Sequence, residues 1–599
     1  MRRLRCLLVS LCALAAHVLP AQPADAPLIS LNELKPGQKG EVWTVFRGTE
    51  PEPFSVEVTG VVLNALGPGK SLILCQLTDP RVQNMGAVAG MSGSPLYIEG
   101  KLAGALSYQI QRFETVRYAG FTPVADLAEV RSRAEGQPMQ VTPIPIDRSN
   151  SQVNNSPYRP LQPVFTLGGL SPLVAELFSP HLRALGMDTF ALGGSTGGAA
   201  VTADNSSGAG SATAGAAAKP PFQLKPGGAI SVALATGDIT LAGTGTVSRV
   251  EGDRITAFGH PMLSLGDVDL PMCAADIVTI LPSSQSSTKV ANTGEIIGTI
   301  TQDRLSAISG VLGAGPAMIP VEVTVKRGRA GPDRVLRFNV ARQQSLTATL
   351  VATGVSQAIL GSNDAGMANG FKLSSNVKFP GDQHLAFETL YSGPQGFTQG
   401  VNEFVQGLSA NLQNPYEKTF PEHVSFTIEP LETNPSVTLE MFQLSRSTVR
   451  AGQIVQATVA WRDYQGESHR QVVDLAIDSS WVGKQLEVIL APGRALDELS
   501  GRPRMISASE LRSFDAYIDA IRDNRPSDGM SLAIVERTSL FTDQTVATPE
   551  APGSIERIAR SSDEARFRKR DAMLPLWETH LLDGKLLNSV TRRPLTVVD

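Results

Sequence analysis

The sequence predicts a mainly β protein, with two β-barrel halves followed by a C-terminal β-sandwich and a small α/β module. Three observations predict it. The 599 residues include 55 Gly and 40 Pro but only 6% aromatics, a composition that supplies turns and interrupts helices. Short runs of β-branched and aliphatic residues recur between Gly, Pro, Asn and charged turns along much of the chain. The tetrapeptide Leu34-Lys35-Pro36-Gly37 returns as Leu224-Lys225-Pro226-Gly227, each time opening a series of alternating strands, as two related half-barrels would require.

The chain opens with Met1-Arg2-Arg3-Leu4-Arg5 and an apolar run from Cys6 to Leu19, the pattern of a secretory signal peptide over residues 1–21. That run is short for a membrane span, and no later run reaches 18 apolar residues. The mature protein is therefore expected to be exported, periplasmic or extracellular, at most peripherally associated with the envelope, with no transmembrane segment once the signal is removed. The first half-barrel is expected over 27–145, with strands at Gly40–Phe46, Phe54–Leu63, Ser71–Leu77, Pro95–Ile98, Leu102–Tyr108 and Arg117–Thr122 and a closing helix at Val124–Ala134. Residues 146–220 read as an insert ending in a Gly/Ala/Ser-rich linker, Gly193–Lys219. The second half-barrel is expected over 221–370, with strands at Ile230–Leu234, Thr244–Val250, Arg254–Phe258, Asp276–Leu281, Pro320–Val325 and Arg334–Val340. A connecting segment (371–420) precedes a sandwich over 421–497 and a small C-terminal module and tail over 498–599, in which Ser507 and Glu510 stand at capping-box spacing for a helix to Asp523.

The formal net charge is −5, and loss of Arg2, Arg3 and Arg5 with the signal makes the mature chain about −8, so nucleic acid is not an expected partner. Cys75 and Cys273 alone survive signal removal; an export compartment permits a disulfide, and two buried thiols are the alternative. No metal site or cofactor is expected from so few cysteines and scattered histidines.

Gly90-Met91-Ser92-Gly93-Ser94-Pro95 places a serine hydroxyl on a tight turn whose glycines let the N–H groups of Gly90 and Ser92 converge as an oxyanion hole. The hairpin that follows, the Gly104-Ala105 strand and the Gly120-Phe121-Thr122-Pro123 strand leading into a helix form the layout around the nucleophile of a chymotrypsin-like barrel. Ser94 is the alternative hydroxyl, better suited to closing the turn. Farther along, Ala257-Phe258-Gly259-His260-Pro261 sets a histidine at a strand end, where it can project into a cleft. His181, His384, His423, His469 and His580 lack that context.

Together with Leu77-Thr78-Asp79-Pro80-Arg81, Gly266-Asp267-Val268-Asp269, Gly298-Thr299-Ile300, Asp303-Arg304 and Ile308-Ser309-Gly310, these motifs resemble the SpoIVB peptidase family, regulatory serine peptidases of bacterial sporulation with a chymotrypsin-like core. The likeness spans roughly 34–125 and 224–345, with the serine motif ahead of the histidine motif, the reverse of the family order. The resemblance implies Ser92 as nucleophile, His260 as general base and Asp79 as the group orienting it, acting on a protein or peptide substrate through an acyl-enzyme. Asp79 also suits a helix-starting turn, and Asp267 and Asp269 are alternative orienting carboxylates. The expected function is an exported serine endopeptidase. The alternative is a catalytically inactive peptidase-fold module that binds or assembles envelope proteins through its C-terminal sandwich.

Overall fold

The computed structural model describes residues 26–110, 116–133, 158–187, 190–192, 194–195, 223–283, 287–327, 331–361, 369–413, 418–501, 514–515, 518, 522, 524–543, 546–549, 554 and 568–599. The expected signal peptide, nearly all of the linker Gly193–Lys219 and most of the expected helix Ser507–Asp523 lie outside them.

The first barrel follows the expected strands closely. It comprises β1 (Lys39–Thr44), β2 (Glu52–Val62), β3 (Leu72–Leu77), α1 (Pro80–Met85), β4 (Pro95–Ile98), β5 (Lys101–Ile110) and β6 (Tyr118–Pro123), with α2 (Val124–Arg133) after it. The hydrogen-bonded order is β4-β1-β2-β3-β6-β5, and a β4–β5 pairing closes the ring. Alternation drives the closure: Phe54, Val56 and Val58 of β2 point inward to Ile73, Leu96 and Phe121, and their neighbours face outward. β7 (Tyr158–Pro160) extends β5, and β8 (Val164–Gly168), α3 (Pro172–Ala184), β9 (Phe190–Leu192) and β10 (Gly194–Ser195) lead to the second barrel.

That barrel is built from β11 (Ala229–Gly237), β12 (Thr240–Glu251), β13 (Arg254–Ala257), β14 (Gly266–Leu281), β15 (Thr288–Arg304) and β16 (Ala307–Leu312). Its order is β11-β14-β15-β16-β13-β12, closed by β11–β12. In both rings the first strand pairs with the second and fourth, the third with the sixth, and the fifth with the fourth and sixth, so the topology is duplicated. The repeated tetrapeptide marks the duplication. Gly37 and Gly227 adopt φ of 86° and 80°, conformations open to glycine, and their N–H groups donate to Val58 and Val247 on the second strand of each barrel, at 2.8 and 2.7 Å.

β17 (Met318–Val325) and β18 (Arg334–Ala341), expected within the second barrel, lie outside its ring and extend from β11. They continue into β19 (Phe371–Lys378), β20 (His384–Tyr391) and β21 (His423–Pro430), accompanied by the helices α4 (Thr347–Leu360) and α5 (Gly393–Leu412). His423–Pro430, read from sequence as the first sandwich strand, instead pairs with β17 and β19, because Val424, Phe426 and Ile428 complete the core under α4. The C-terminal region holds β22 (Val437–Leu444), β23 (Thr448–Arg450), β24 (Ile454–Asp463), β25 (Ser468–Ala476), β26 (Gln485–Ala491), α6 (Gly493–Leu499), β27 (Met530–Asp543), β28 (Val546–Pro549), β29 (Arg568–Leu581) and β30 (Thr591–Val598). A β22-β24-β25 sheet packs Val455, Val459 and Leu475 against Val488, Leu532 and Leu595 of the sheet formed by β23 and β26–β30. Cys75 on β3 and Cys273 on β14 are buried free thiols in separate barrels. Among the described residues no helix is long and apolar enough to cross a membrane.

The two barrels meet through backbone. The Thr246 N–H donates to the Ser92 carbonyl at 2.8 Å, the Ser248 hydroxyl to the Gly93 carbonyl at 2.8 Å and the Thr246 hydroxyl to the Gly90 carbonyl at 3.2 Å. In return the Thr122 hydroxyl of the first barrel donates to the Gly259 carbonyl at 2.7 Å. Gly93 has φ of 95°, and a Cβ there would overlap the Thr246 carbonyl oxygen and the Phe258 nitrogen. Gly93→Ala is therefore expected to lower stability in denaturant unfolding by more than ~3 kcal/mol, since rigid backbone must move. Gly100→Ala, where φ is 76° but the space is open, should cost only about 1–2 kcal/mol.

Candidate functional site

The serine and histidine motifs occupy the same connection, third strand to fourth, in their respective barrels. In the first barrel Gly90 (φ 92°) and Gly93 (φ 95°) bracket Ser92 and fold the chain tightly enough for the Met91 N–H to reach Val88 and the Ser94 N–H to reach Met91, at 2.9 and 3.0 Å. The Ser94 hydroxyl donates to the Met91 carbonyl at 2.6 Å, so it closes the turn. The N–H groups of Gly90 and Ser92 take no part in these turn bonds. Ser92 is fully buried and its Oγ has no hydrogen-bond partner.

In the second barrel the chain leaves β13 through a strained three-residue turn. Phe258, at φ of 69°, is a bulky residue in the left-handed region, and the Gly259 N–H bonds the Ala257 carbonyl at 2.9 Å. The Phe258 ring lies over Gly245, where no side chain would fit, and this packing holds the strain. His260 follows, 1% exposed, with Nδ1 2.7 Å from the Pro261 carbonyl and Nε2 buried without a partner. Burial pushes the imidazole pKa down to about 4, against the opposing pull of that carbonyl, so the ring is neutral at neutral pH.

One carbonyl ties the two motifs together. The Leu106 oxygen accepts from the Gly93 N–H at 2.7 Å, and it lies 3.2 Å from where a Cβ on Gly259 would stand. Each of those glycines is the chain neighbour of a site residue, Ser92 on one side and His260 on the other. The two side chains are not hydrogen-bonded to each other.

Asp79 is elsewhere engaged. It caps α1 by accepting from the Arg81 N–H at 2.9 Å, and its second oxygen pairs with the Arg81 guanidinium at 3.0 Å. Partial burial raises its pKa, but the Arg81 bonds outweigh that and hold the carboxyl below its usual range. It forms no hydrogen bond to His260, whose Nδ1 is occupied by Pro261 instead. Asp267 pairs with Gln302 and Arg304 at 2.8 and 2.7 Å, and Asp269 is exposed. At the tip of the β24–β25 hairpin, Asp463, Glu467 and His469 cluster within 4.8 Å, but the Asp463 carboxylate closes the turn by accepting the Glu467 N–H at 2.9 Å.

Two further residues at this interface were not among the candidate site residues read from the sequence, although Asp303 lies in the Asp303-Arg304 motif. Asp303 is fully buried beside the His260 loop, yet it stands in an ordinary alternating strand. Lys289 lies at the start of β15, and a lysine side chain is ordinarily solvent-exposed. It is fully buried instead, its stem against Gly90 and its Nζ 2.8 Å from the Thr44 hydroxyl. Burial without a carboxylate lowers its pKa to about 7. Between pH 7 and the ordinary lysine value of 10.5 the unfolded chain binds the extra proton, so stability must rise with pH across that window. Over pH 7–9 the slope from this group is at most about 1.4 kcal/mol per pH unit. Lys289→Met should remove that slope in unfolding titrations and be at least as stable as the parent at pH 7.

No curated protein and no solved structure matches the chain. A family model, SpoIVB peptidase S55, matches residues 19–121, a stretch that includes Asp79 and Ser92 and ends before the His260 motif. The barrel that carries Ser92 is therefore similar, over the matched residues, to the SpoIVB peptidase S55 family.

Proposed function

We propose that the protein is an exported serine endopeptidase of the SpoIVB type, with Ser92 as nucleophile and His260 as general base. Ser92 Oγ attacks the scissile carbonyl of a protein or peptide chain while His260 Nε2 takes its proton. The N–H groups of Gly90 and Ser92 receive the oxyanion, the leaving amine takes the proton back, and water hydrolyses the acyl-enzyme. The chemistry needs neither metal nor cofactor.

One observation carries this reading. Ser92 Oγ and His260 Nε2 are both buried polar atoms without partners, and they belong to the two motifs that meet at the Leu106 carbonyl. Leaving such atoms unpaired costs about 1–3 kcal/mol each, which asks for a reason beyond packing. The Pro261 carbonyl favours a proton on Nδ1, which leaves Nε2 as the basic nitrogen and does the tautomer-setting work expected of a carboxylate.

The same burial favours a second reading. Ser92 and His260 are closed to a substrate in this conformation, and a module that uses the loop only to join its barrels, and its C-terminal sandwich to bind envelope partners, would look the same. Catalysis requires the interface to open.

A fluorophosphonate probe separates the two. The peptidase reading expects labelling of the folded protein at Ser92, abolished in Ser92→Ala and slowed at least ~100-fold in His260→Ala. Burial keeps His260 neutral down to about pH 4 in the closed state, but labelling takes place in the opened one, where the ring regains water, so its rate should fall as pH drops below about 6.5. Absence of labelling in folded parent protein, including under mild conditions that loosen the barrel interface, sinks the peptidase reading in favour of the binding module.

A further inference from the structure

We propose that Asp303 is the carboxylate that positions His260, acting through the backbone of residues 261–265 and not by touching the ring. The inference rests on the reading of His260 as the base, and it supplies the orienting group that Asp79 does not provide in this structure.

Asp303 stands on β15 opposite Gly266, at the point where the loop after His260 rejoins the sheet. Its side chain is fully buried, and both oxygens are turned on that loop. Oδ1 accepts the Met262 N–H at 2.7 Å, and Oδ2 accepts the N–H groups of Leu263 and Leu265 at 2.9 and 3.0 Å. Three N–H groups of one loop are thus gathered on one side chain. The loop needs such an anchor, because Ser264 is held at φ of 61°, a conformation that costs a non-glycine residue about 1–2 kcal/mol.

The chain of contact to the ring is short. Met262 is bonded directly to the carboxylate; Pro261 precedes it and has no N–H of its own to fix its peptide plane. Anchoring the Met262 N–H fixes the plane of the Pro261–Met262 peptide, whose carbonyl is the one 2.7 Å from His260 Nδ1. The direction of that carbonyl decides which ring nitrogen carries the proton. Burial raises the Asp303 pKa and the loop N–H groups pull against it, so the group is held by donors aimed at its oxygens from one loop only. Gln302 and Arg304, its chain neighbours, point to Asp267 and not to this loop.

The test uses the full chain with selectively 15N-labelled histidine and reads two signals: the His260 ring tautomer by long-range 1H–15N correlation at pH 7, and the rate of Ser92 labelling by a fluorophosphonate. Parent protein should show the Nδ1–H tautomer. Asp303→Asn keeps the size but points an NH2 group at backbone donors; it should yield a mixture of tautomers and at least a tenfold slower labelling rate, with circular dichroism unchanged. Asp303→Ser, smaller and still an acceptor, makes the same comparison if the asparagine variant does not fold. Asp79→Asn should leave the Nδ1–H tautomer in place.

An Nε2–H tautomer in the parent overturns the proposal outright, whatever the variants do. So does a folded Asp303 variant with the parent's tautomer and labelling rate, or loss of the tautomer in Asp79→Asn alone. A parent that shows the Nδ1–H tautomer, lost on substitution of Asp303, but does not label at Ser92 supports the positioning role and removes the peptidase reading.

Discussion

The contact on which the rest of the molecule depends is the backbone docking of Gly93 against Thr246 and Phe258. A glycine with φ of 95° lets the serine loop lie directly on the second barrel, with no side chain between them. From that approach follow the three carbonyls of Gly90, Ser92 and Gly93 bonded by Thr246 and Ser248, and the return bond from Thr122 to Gly259. Two barrels of identical strand order thereby present corresponding loops to one another. Neither loop could hold its shape alone: the glycines that permit the turn also make it entropically expensive, and the partner barrel supplies the compensating bonds.

The interface concentrates features that a fold optimised only for stability would lack. Phe258 is strained, Ser92 Oγ and His260 Nε2 are buried without partners, and Lys289 is buried with its Nζ on the Thr44 hydroxyl and no carboxylate beside it among the described residues. Each is unfavourable by roughly 1–3 kcal/mol or more, and all belong to the serine or histidine motif or, as with Lys289, pack against it. The barrel cores around them, from Val56 and Phe121 in one to Val247 and Ile308 in the other, are apolar and ordinary. Such clustering of cost at one seam of an otherwise well-packed structure is what functional sites look like, and it holds for either reading of the seam.

The closed state of the seam also bears on how the molecule works. On the proposed reading, hydrolysis at Ser92 would require the seam to open and exchange the bonds that Thr246 and Ser248 now make to the loop. The hydroxyl bonds among them, from Thr246 to Gly90 and from Ser248 to Gly93, suit that exchange, because a hydroxyl rotates to a new acceptor without moving the backbone. The C-terminal sandwich, with its own core around Val488 and Leu532, is joined through the β17–β21 sheet and not through the seam.

Much of the β architecture was legible in the sequence. The six strands of the first barrel follow from alternation punctuated by turns, and the repeated Leu-Lys-Pro-Gly tetrapeptide announced the second because only glycine fits the turn it makes. Ser92 and His260 were legible for the same reason: glycine spacing writes a tight turn into the chain itself. What sequence could not carry was partnership across the fold. Asp79 read as an orienting group because Leu77-Thr78-Asp79-Pro80-Arg81 resembles the family's Asp motif, but a carboxylate beside Pro80 and Arg81 has a local use, and the local donors claim it. Asp303 was legible only as part of the Asp303-Arg304 motif, Lys289 carried no signal, and β21 looked like a sandwich strand, because their roles come from which strands the barrels bring alongside them. Local backbone chemistry is set by neighbours in sequence and so can be read there; burial, pairing and proton placement are set by neighbours in space, and only the tertiary structure decides those.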